Sequence, residues 1–125
     1  MTHKVNWKAE PEQHDFPAAA DYLSLLTEQE RADVLVDRLR SAPTIYRKAK
    51  DILRAAQLPL LPEDNPHVAG DLDKIDRREP LSPVLLVRGE LGIAARLEIA
   101  DGYHRVCASY YVDENTDIPC RVASR

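Results

Sequence analysis

The chain has 125 residues, of which 44% are hydrophobic and 30% are charged, and its formal net charge is −4. This length fits one domain with its own core, and the composition excludes a disordered chain. The negative balance excludes non-specific nucleic-acid binding through overall charge. No segment approaches membrane-spanning length and the N-terminus lacks the apolar stretch of a secretion signal, so we expect a cytoplasmic protein without a membrane partner.

The first half of the chain has the periodicity of helices. Apolar residues at helical spacing predict a first helix from 16 to 26. Thr27 and Glu30 have the form of a capping box, which predicts a second helix that ends near residue 40. A third amphipathic helix is expected from about 44 to 57. Together these three helices define a helical layer over residues 16–57.

A proline-rich connection and a capped helix follow. Residues 58–62 are too rich in proline for a helix and too apolar for a flexible linker, so they should pack across the core as an extended segment. Asn65 and Pro66 predict the N-cap and the first position of a fourth helix, and His67 is interpreted as part of that helix start. The helix should bury three apolar residues, Val68, Leu72 and Ile75.

The rest of the chain predicts a β-α-β arrangement. Residues 83–88 form a near-continuous apolar run, typical of a strand covered on both faces. The remaining expected elements are a loop at 89–95, a strand at 96–100, a helix at 103–112 and a strand at 118–122. Pro119 in the last strand favours either an edge position or the first residues of the strand.

We therefore expect a single α+β domain over residues 1–125, with N-terminal helices packed on a small mixed β-sheet and an α/β part from 64 to 125. Two cysteines, Cys107 and Cys120, have apolar neighbours and fit no zinc spacing, which predicts buried free thiols. A disulfide is the alternative, and it would require an oxidising compartment.

The junction between the expected strand at 96–100 and the helix at 103–112 carries the functional hypothesis. It contains Asp101, Gly102, Tyr103, His104 and Arg105. The first turn of a helix presents unpaired N–H groups, Gly102 permits a sharp turn and a close ligand approach, and Arg105 offers a planar fork of donors. This set predicts an anion site, above all for phosphate.

Alternatives stay open at this junction. Asp101 could cap backbone amides while Arg105 pairs with a surface carboxylate, which would make the turn purely structural. Tyr103 could stack on a base or only cover the sheet edge. No metal site is predicted, because no third or fourth ligand can be named beside Asp101 and His104.

The order of these motifs carries a family resemblance. An apolar strand ends in Val87-Arg88-Gly89, a second strand runs into the Asp101-to-Arg105 junction, a short helix contains Cys107-Ala108, and a final strand opens with Ile118-Pro119. In this order, from about Leu81 to Ala123, the chain resembles the ParB/sulfiredoxin superfamily, which includes the ParB-like nuclease domains.

The resemblance implies a nucleotide, ATP or CTP with Mg²⁺, whose phosphates lie at the helix N-terminus. Gly102, His104 and Arg105 fall at the positions that contact phosphate in sulfiredoxins. Tyr103 stands where sulfiredoxins have their catalytic cysteine, which excludes that redox chemistry for this chain. The arginine-rich box with which ParB proteins bind CTP is also absent.

Two function classes remain. The leading hypothesis is a domain that binds a nucleotide or phosphorylated small molecule, acting as a small phosphotransferase or nucleotide hydrolase. In it, Gly102, Tyr103, His104 and Arg105 bind the ligand, Asp101 and His104 are catalytic, and Asp101 positions Mg²⁺ or a hydroxyl nucleophile.

The competing hypothesis is a non-catalytic ParB-like regulatory or nucleic-acid-binding module. It would use three basic residues for contact, Arg47, Lys48 and Lys50. Nucleic acid is the less favoured partner, because the basic residues of 38–54 are expected to compensate the acidic residues of 10–37 within one molecule. Catalytic competence and oligomeric state are left open by the sequence.

Overall fold

The structure, a computed structural model, describes residues 4–125, and residues 1–3 of the expected domain lie outside the described part. Its helices are α1 (Asp15–Leu23), α2 (Gln29–Ser41), α3 (Ala49–Ala56), α4 (Pro66–Asp76) and α5 (Tyr103–Val112). Its strands are β1 (Ile45–Lys48), β2 (Val84–Val87), β3 (Glu98–Asp101) and β4 (Asp117–Ala123). The α+β fold, with helices packed on a small mixed sheet, is thereby confirmed.

The four strands form one sheet in the order β1-β4-β2-β3. β2 and β4 are parallel, whereas β1 pairs antiparallel with β4 and β3 pairs antiparallel with β2. β1 and β3 therefore lie at opposite edges. β3 ends at Asp101 and leads through Gly102 into α5, so the predicted functional turn lies beside one edge of the sheet.

Both faces of the sheet are covered by apolar side chains. Val84 and Leu86 pack in a core cluster with residues of α3, α4 and α5, while Leu85 and Val87 pack in a second cluster with α1 and α2. All four residues of β2 are buried. The prediction that residues 83–88 contain a strand covered on both faces is confirmed, because successive side chains of a strand point to opposite faces.

The expected third helix over 44–57 is wrong in its first turn. Residues 45–48 form β1, and the helix begins only at Ala49. Ile45 and Tyr46 favour a strand intrinsically, and the pairing of β1 with β4 decides the conformation. The segment 16–57 is consequently not a purely helical layer, because it contributes one strand to the sheet.

Pro119 does not mark an edge strand. β4 lies between β1 and β2, so the edge interpretation is wrong. The other interpretation holds: Pro119 is near the start of β4 and precedes Cys120, the first residue that pairs with β2. A proline is tolerated there because the parallel ladder begins only at the next residue.

The two predicted helix starts have different outcomes. Asn65 is the N-cap of α4, its side chain accepts hydrogen bonds from the N–H groups of His67 and Val68, and Pro66 is the first helical residue, as predicted. The capping box at Thr27 is wrong, because α2 has Glu28 as its N-cap and no side-chain cap hydrogen bond. The position of α2 is set by its buried apolar face.

Several smaller expectations are also settled. Residues 58–62 form no helix or strand, and their leucines pack against the core. Val68 and Ile75 are buried while Leu72 is partly buried. Cys107 and Cys120 are buried free thiols. Among residues 4–125, no helix combines the length and the apolar character needed to cross a membrane.

The unequal caps lead to a prediction. Asn65→Ala should lower the free energy of unfolding by about 1 kcal/mol, because two N–H groups lose their acceptor. Thr27→Ala should change it by less than about 0.5 kcal/mol, because no cap bond is lost. Urea denaturation of both variants measures the difference, and equal losses would contradict the assignment.

Candidate functional site

Gly102 allows the turn from β3 into α5. Its φ is 113°, a left-handed conformation that side chains disfavour. A Cβ at this position would lie 2.5 Å from Cγ1 of Val84 and 2.8 Å from Nη2 of Arg105. No side chain caps the first turn of α5. The sharp turn predicted from the glycine is therefore present, and the N-terminus of α5 keeps its amides uncapped.

Arg105 lies between two carboxylates. Its Nη2 is 2.5 Å from Oδ2 of Asp101, and its Nη1 is 3.6 Å from Oδ2 of Asp15. Asp15 is 3% exposed, and it also accepts hydrogen bonds from the Ser82 hydroxyl and the Glu12 N–H. The structural alternative is thus present in part: Arg105 pairs with carboxylates, but Asp101 binds the guanidinium rather than the helix amides.

An open cleft of about 270 Å³ lies beside this turn. Four of the predicted site residues line it together, namely Asp101, Gly102, His104 and Arg105. Five further residues complete the lining, namely His14, Asp15, His67, Asp71 and Lys74. These come from α1 or its N-cap and from one face of α4, whose spacing of 67, 71 and 74 is helical. The sequence carries no local signal that would connect residues 14 and 15 with residue 105.

Tyr103 is placed differently from the other predicted ligand contacts. Its hydroxyl donates a hydrogen bond to the carbonyl of Pro59 at 2.5 Å. Its ring stacks on His104, with 5.8 Å between the ring centroids. Tyr103 thereby ties α5 to the extended segment 58–62 and covers one side of His104, and it does not line the cleft.

The titratable groups of the cleft influence one another. Burial lowers the pKa of His104, and the neighbouring His67, whose ring centroid is 4.7 Å away, lowers it further. Burial raises the pKa of Asp71, against the opposing influence of Lys74 and Arg105. Burial also raises the pKa of Asp101, where Arg105 opposes the shift and Asp15 adds to it. A neutral imidazole therefore lies beside carboxyl groups whose ionised form is disfavoured.

This arrangement can bind an anion and exchange protons. The uncapped amides and Lys74 attract negative charge, while Asp101, whose pKa burial raises, and the imidazole of His104 can accept a proton. Among residues 4–125, no group of three or more His, Cys, Asp or Glu side chains is arranged to hold a metal ion alone.

The three basic residues considered for nucleic acid lie elsewhere. Arg47 and Lys48 are on β1 and Lys50 is on α3, all exposed, at the edge opposite to Gly102. Residues 38–54 contain six basic residues. Within residues 4–125, Arg40 is the one of the six that forms an ion pair with the acidic segment 10–37, through Asp37 at 4.0 Å. Within residues 4–125 the other five therefore make no direct ion pair with the acidic segment, and compensation between the two segments stays a prediction.

Comparisons with protein-family models, with curated proteins and with solved structures each gave no match. The resemblance to the ParB/sulfiredoxin superfamily thus stays a prediction from the motifs of residues 81–123.

Two glycines provide a matched test of the turn. Gly102→Ala should cost about 1–3 kcal/mol through backbone strain alone, and the contact with Val84 adds to this loss. Gly70→Ala, inside α4 and with no atom within 4 Å of the added Cβ, should stabilise by about 0.5–1 kcal/mol. Urea denaturation compares the free energies of unfolding of the two variants. An unchanged free energy of unfolding in Gly102→Ala would contradict the requirement for glycine at this turn.

Asp71 leads to a prediction about pH. Because its pKa is raised above the ordinary 3.8 in the folded protein, stability is lost as pH rises through that raised pKa. Asp71→Asn should therefore raise Tm near pH 7, and the gain should vanish near pH 3, where the carboxyl is protonated in both states. Asp73→Asn, exposed on the same helix, is the control. A lower Tm near pH 7 would mean that attraction to Lys74 outweighs burial.

Proposed function

We propose that this chain binds a nucleotide or another phosphorylated small molecule in the cleft between α4 and α5, and transfers a phosphoryl group from it to a hydroxyl group or to water, releasing the dephosphorylated molecule. The observation that carries the proposal is the convergence of the uncapped α5 N-terminus with Lys74, His67, His104 and Arg105 in one open cleft. Phosphate binding at a helix N-terminus uses such N–H groups and adjacent cations. The resemblance of residues 81–123 to the ParB/sulfiredoxin superfamily supports the same assignment.

The charges around the cleft indicate which protein groups attract phosphate. Asp15 and Asp101 together balance more than the charge of Arg105, so this guanidinium contributes less attraction to phosphate than its position suggests. Lys74 is exposed at the rim and forms no ion pair among those of residues 4–125. We therefore assign the main electrostatic contact with phosphate to Lys74 and the α5 amides, with Arg105 as an orienting donor.

The carboxylates fit a nucleotide that arrives with Mg²⁺. Mg²⁺ prefers oxygen ligands and is commonly held by one or two carboxylates together with the phosphates of the substrate. Asp71 lines the same cleft and would hold it together with the phosphates, which leaves Asp101 to act on the nucleophile, and no cluster of three protein ligands is needed for this mode. The ion would supply neutralisation of the phosphate charge.

Asp101 and His104 have the catalytic roles in the proposal. The raised pKa of Asp101 makes its carboxylate a stronger proton acceptor for a hydroxyl or water nucleophile. His104, neutral because burial lowers its pKa, can donate or accept one hydrogen bond at the phosphate. Phosphoryl transfer depends mainly on positioning and charge stabilisation, which this residue set provides.

The non-catalytic module is the second candidate. It is favoured by one observation: Arg47, Lys48 and Lys50 lie at the edge opposite to the Gly102 turn and so cannot serve the cleft. A separate partner surface is compatible with the phosphate site, and the two candidates can describe two regions of one protein.

Calorimetry with ATP, ADP, CTP and GTP in Mg²⁺ tests the leading proposal. At least one nucleotide should bind the full chain, and Lys74→Ala should weaken binding about tenfold through loss of a charge-assisted contact. Lys50→Ala removes the same charge at the opposite edge and should leave affinity unchanged. Arg105→Ala is unsuitable because it would leave the buried Asp15 without its cation.

The proposal is wrong if no nucleotide binds, or if the two lysine variants weaken binding equally. ³¹P NMR of the bound nucleotide then separates a phosphotransferase or hydrolase from a binding domain. An enzyme should release phosphate or transfer it over time, and Asp101→Asn should slow that reaction more than it weakens nucleotide binding.

A further inference from the structure

β1 leaves one side of its backbone unpaired. Within residues 4–125 it pairs with β4 and forms the edge of the sheet. In the antiparallel register, Ile45 lies opposite Cys120 and Arg47 lies opposite Ile118. One step further along this register, the N–H of Ala49 donates to the carbonyl of Thr116 at 3.0 Å. Odd-numbered residues therefore direct their backbone groups toward β4.

Because the backbone groups of successive strand residues point to opposite sides, Tyr46 and Lys48 direct their N–H and C=O groups away from β4. The outward carbonyl of Tyr46 accepts a hydrogen bond from Nη1 of Arg47 at 2.8 Å. This contact places a cation directly at the edge. A strand added here would find donors and acceptors at the spacing of a sheet ladder.

Two cavities beside β1 are open to the side chains of such a strand. On one face, Ile45 and Arg47 line an apolar hollow of about 180 Å³ with Leu86 and Val122, and Arg88 lies at its rim. Asp51 also lines this hollow, but its charge is balanced by Arg54 at 3.2 Å. This face therefore presents apolar surface with an excess of positive charge.

The second cavity has a different character. Tyr46, which is 60% exposed, lines a groove of about 600 Å³ with Trp7, Val5 and Val112. Two carboxylates, Asp113 and Asp117, and one cation, Lys4, border the groove. This groove suits apolar or aromatic side chains and disfavours acidic ones.

We propose that the edge of β1 accepts an extended segment of a partner protein as an added strand, in which acidic side chains beside Arg47 alternate with apolar side chains beside Tyr46 and its groove. Main-chain hydrogen bonds to Tyr46 and Lys48 provide the part of the binding that any extended segment would share, and the two unlike cavities provide the selectivity. The proposal is independent of phosphate binding at the other edge.

A second copy of this chain is a poorer occupant. An antiparallel pair that uses the outward groups of both Tyr46 and Lys48 sets Arg47 of one copy directly opposite Arg47 of the other. Like charges in directly opposed positions destabilise a sheet. The basic edge thus discourages self-association and selects an acidic strand.

A nucleic acid is also a poorer occupant, because carboxylates interrupt the basic residues. Asp117 lies opposite Lys48 in the register, and Asp51 follows Lys50 in the chain. Phosphate backbones need an uninterrupted positive surface, and they would leave the outward strand groups without partners.

The test uses capped synthetic peptides and the full chain. In a peptide array, acidic residues alternate with apolar residues, and the identity of each is varied. Every peptide is compared with two matched control peptides. In one form lysine replaces every acidic residue, and in the other the edge-facing amides are N-methylated. Trp7, the one tryptophan of the chain, reports occupation of its groove by fluorescence, and ¹H–¹⁵N spectra locate binding at residues 45–48.

Acidic peptides should bind, and both matched forms should bind at least about tenfold more weakly. Arg47→Glu should weaken the acidic peptides and strengthen the lysine forms. Tyr46→Pro removes an N–H group that points outward and makes no hydrogen bond to β4. This variant should also bind the acidic peptides more weakly. Arg31→Glu, an exposed charge reversal on α2, is the control and should change nothing.

The inference is overturned if no acidic peptide binds at millimolar concentration, or if the lysine forms bind equally well. Self-association that Tyr46→Pro abolishes would assign the edge to a second copy. Tighter binding of a DNA or RNA oligonucleotide, lost in Arg47→Glu, would assign it to nucleic acid. If Tyr46→Pro fails to fold, the N-methylated peptides still decide the role of the outward backbone groups.

Discussion

The pairing of Arg105 with Asp101 and Asp15 holds the two halves of the chain together at the candidate site. Asp15 belongs to α1, Asp101 ends β3 and Arg105 lies in the first turn of α5. A buried carboxylate requires a cation or donors beside it, and Asp15 obtains Arg105, the Ser82 hydroxyl and a backbone N–H. Its burial therefore fixes α1 against the turn, and the shape of the cleft depends on that contact.

The same pairing determines what kind of ligand the cleft can receive. An arginine without carboxylates would be a general trap for anions, whereas Arg105 is already neutralised by its neighbours. Selectivity then depends on the groups around it, namely the helix amides, Lys74 and the adjacent rings of His67 and His104. A ligand that brings its own cation satisfies both the carboxylates and the amides, which a bare anion does not.

Local sequence signals predicted the elements that depend on local physics. The apolar run of β2 follows from burial on both faces, and the start of α5 follows from the turn at Gly102. The cap of α4 follows from the side-chain acceptor of Asn65. β1 was missed because a four-residue strand is decided by a partner, β4, some seventy residues later in the chain. His14, Asp15, Asp71 and Lys74 were missed at the site for the same reason: only the packing of α1 and α4 brings them to α5.

The central position of β4 has a consequence for the order in which the sheet forms. β4 is synthesised after every other described element, yet it separates β1 from β2 in the finished sheet. Until β4 emerges, β1 lacks its partner strand and the β2–β3 pair lacks one neighbour, so apolar strand surface stays exposed up to that point. The sheet is therefore completed only when β4 inserts between β1 and β2, and before that step the open strands can pair with other chains.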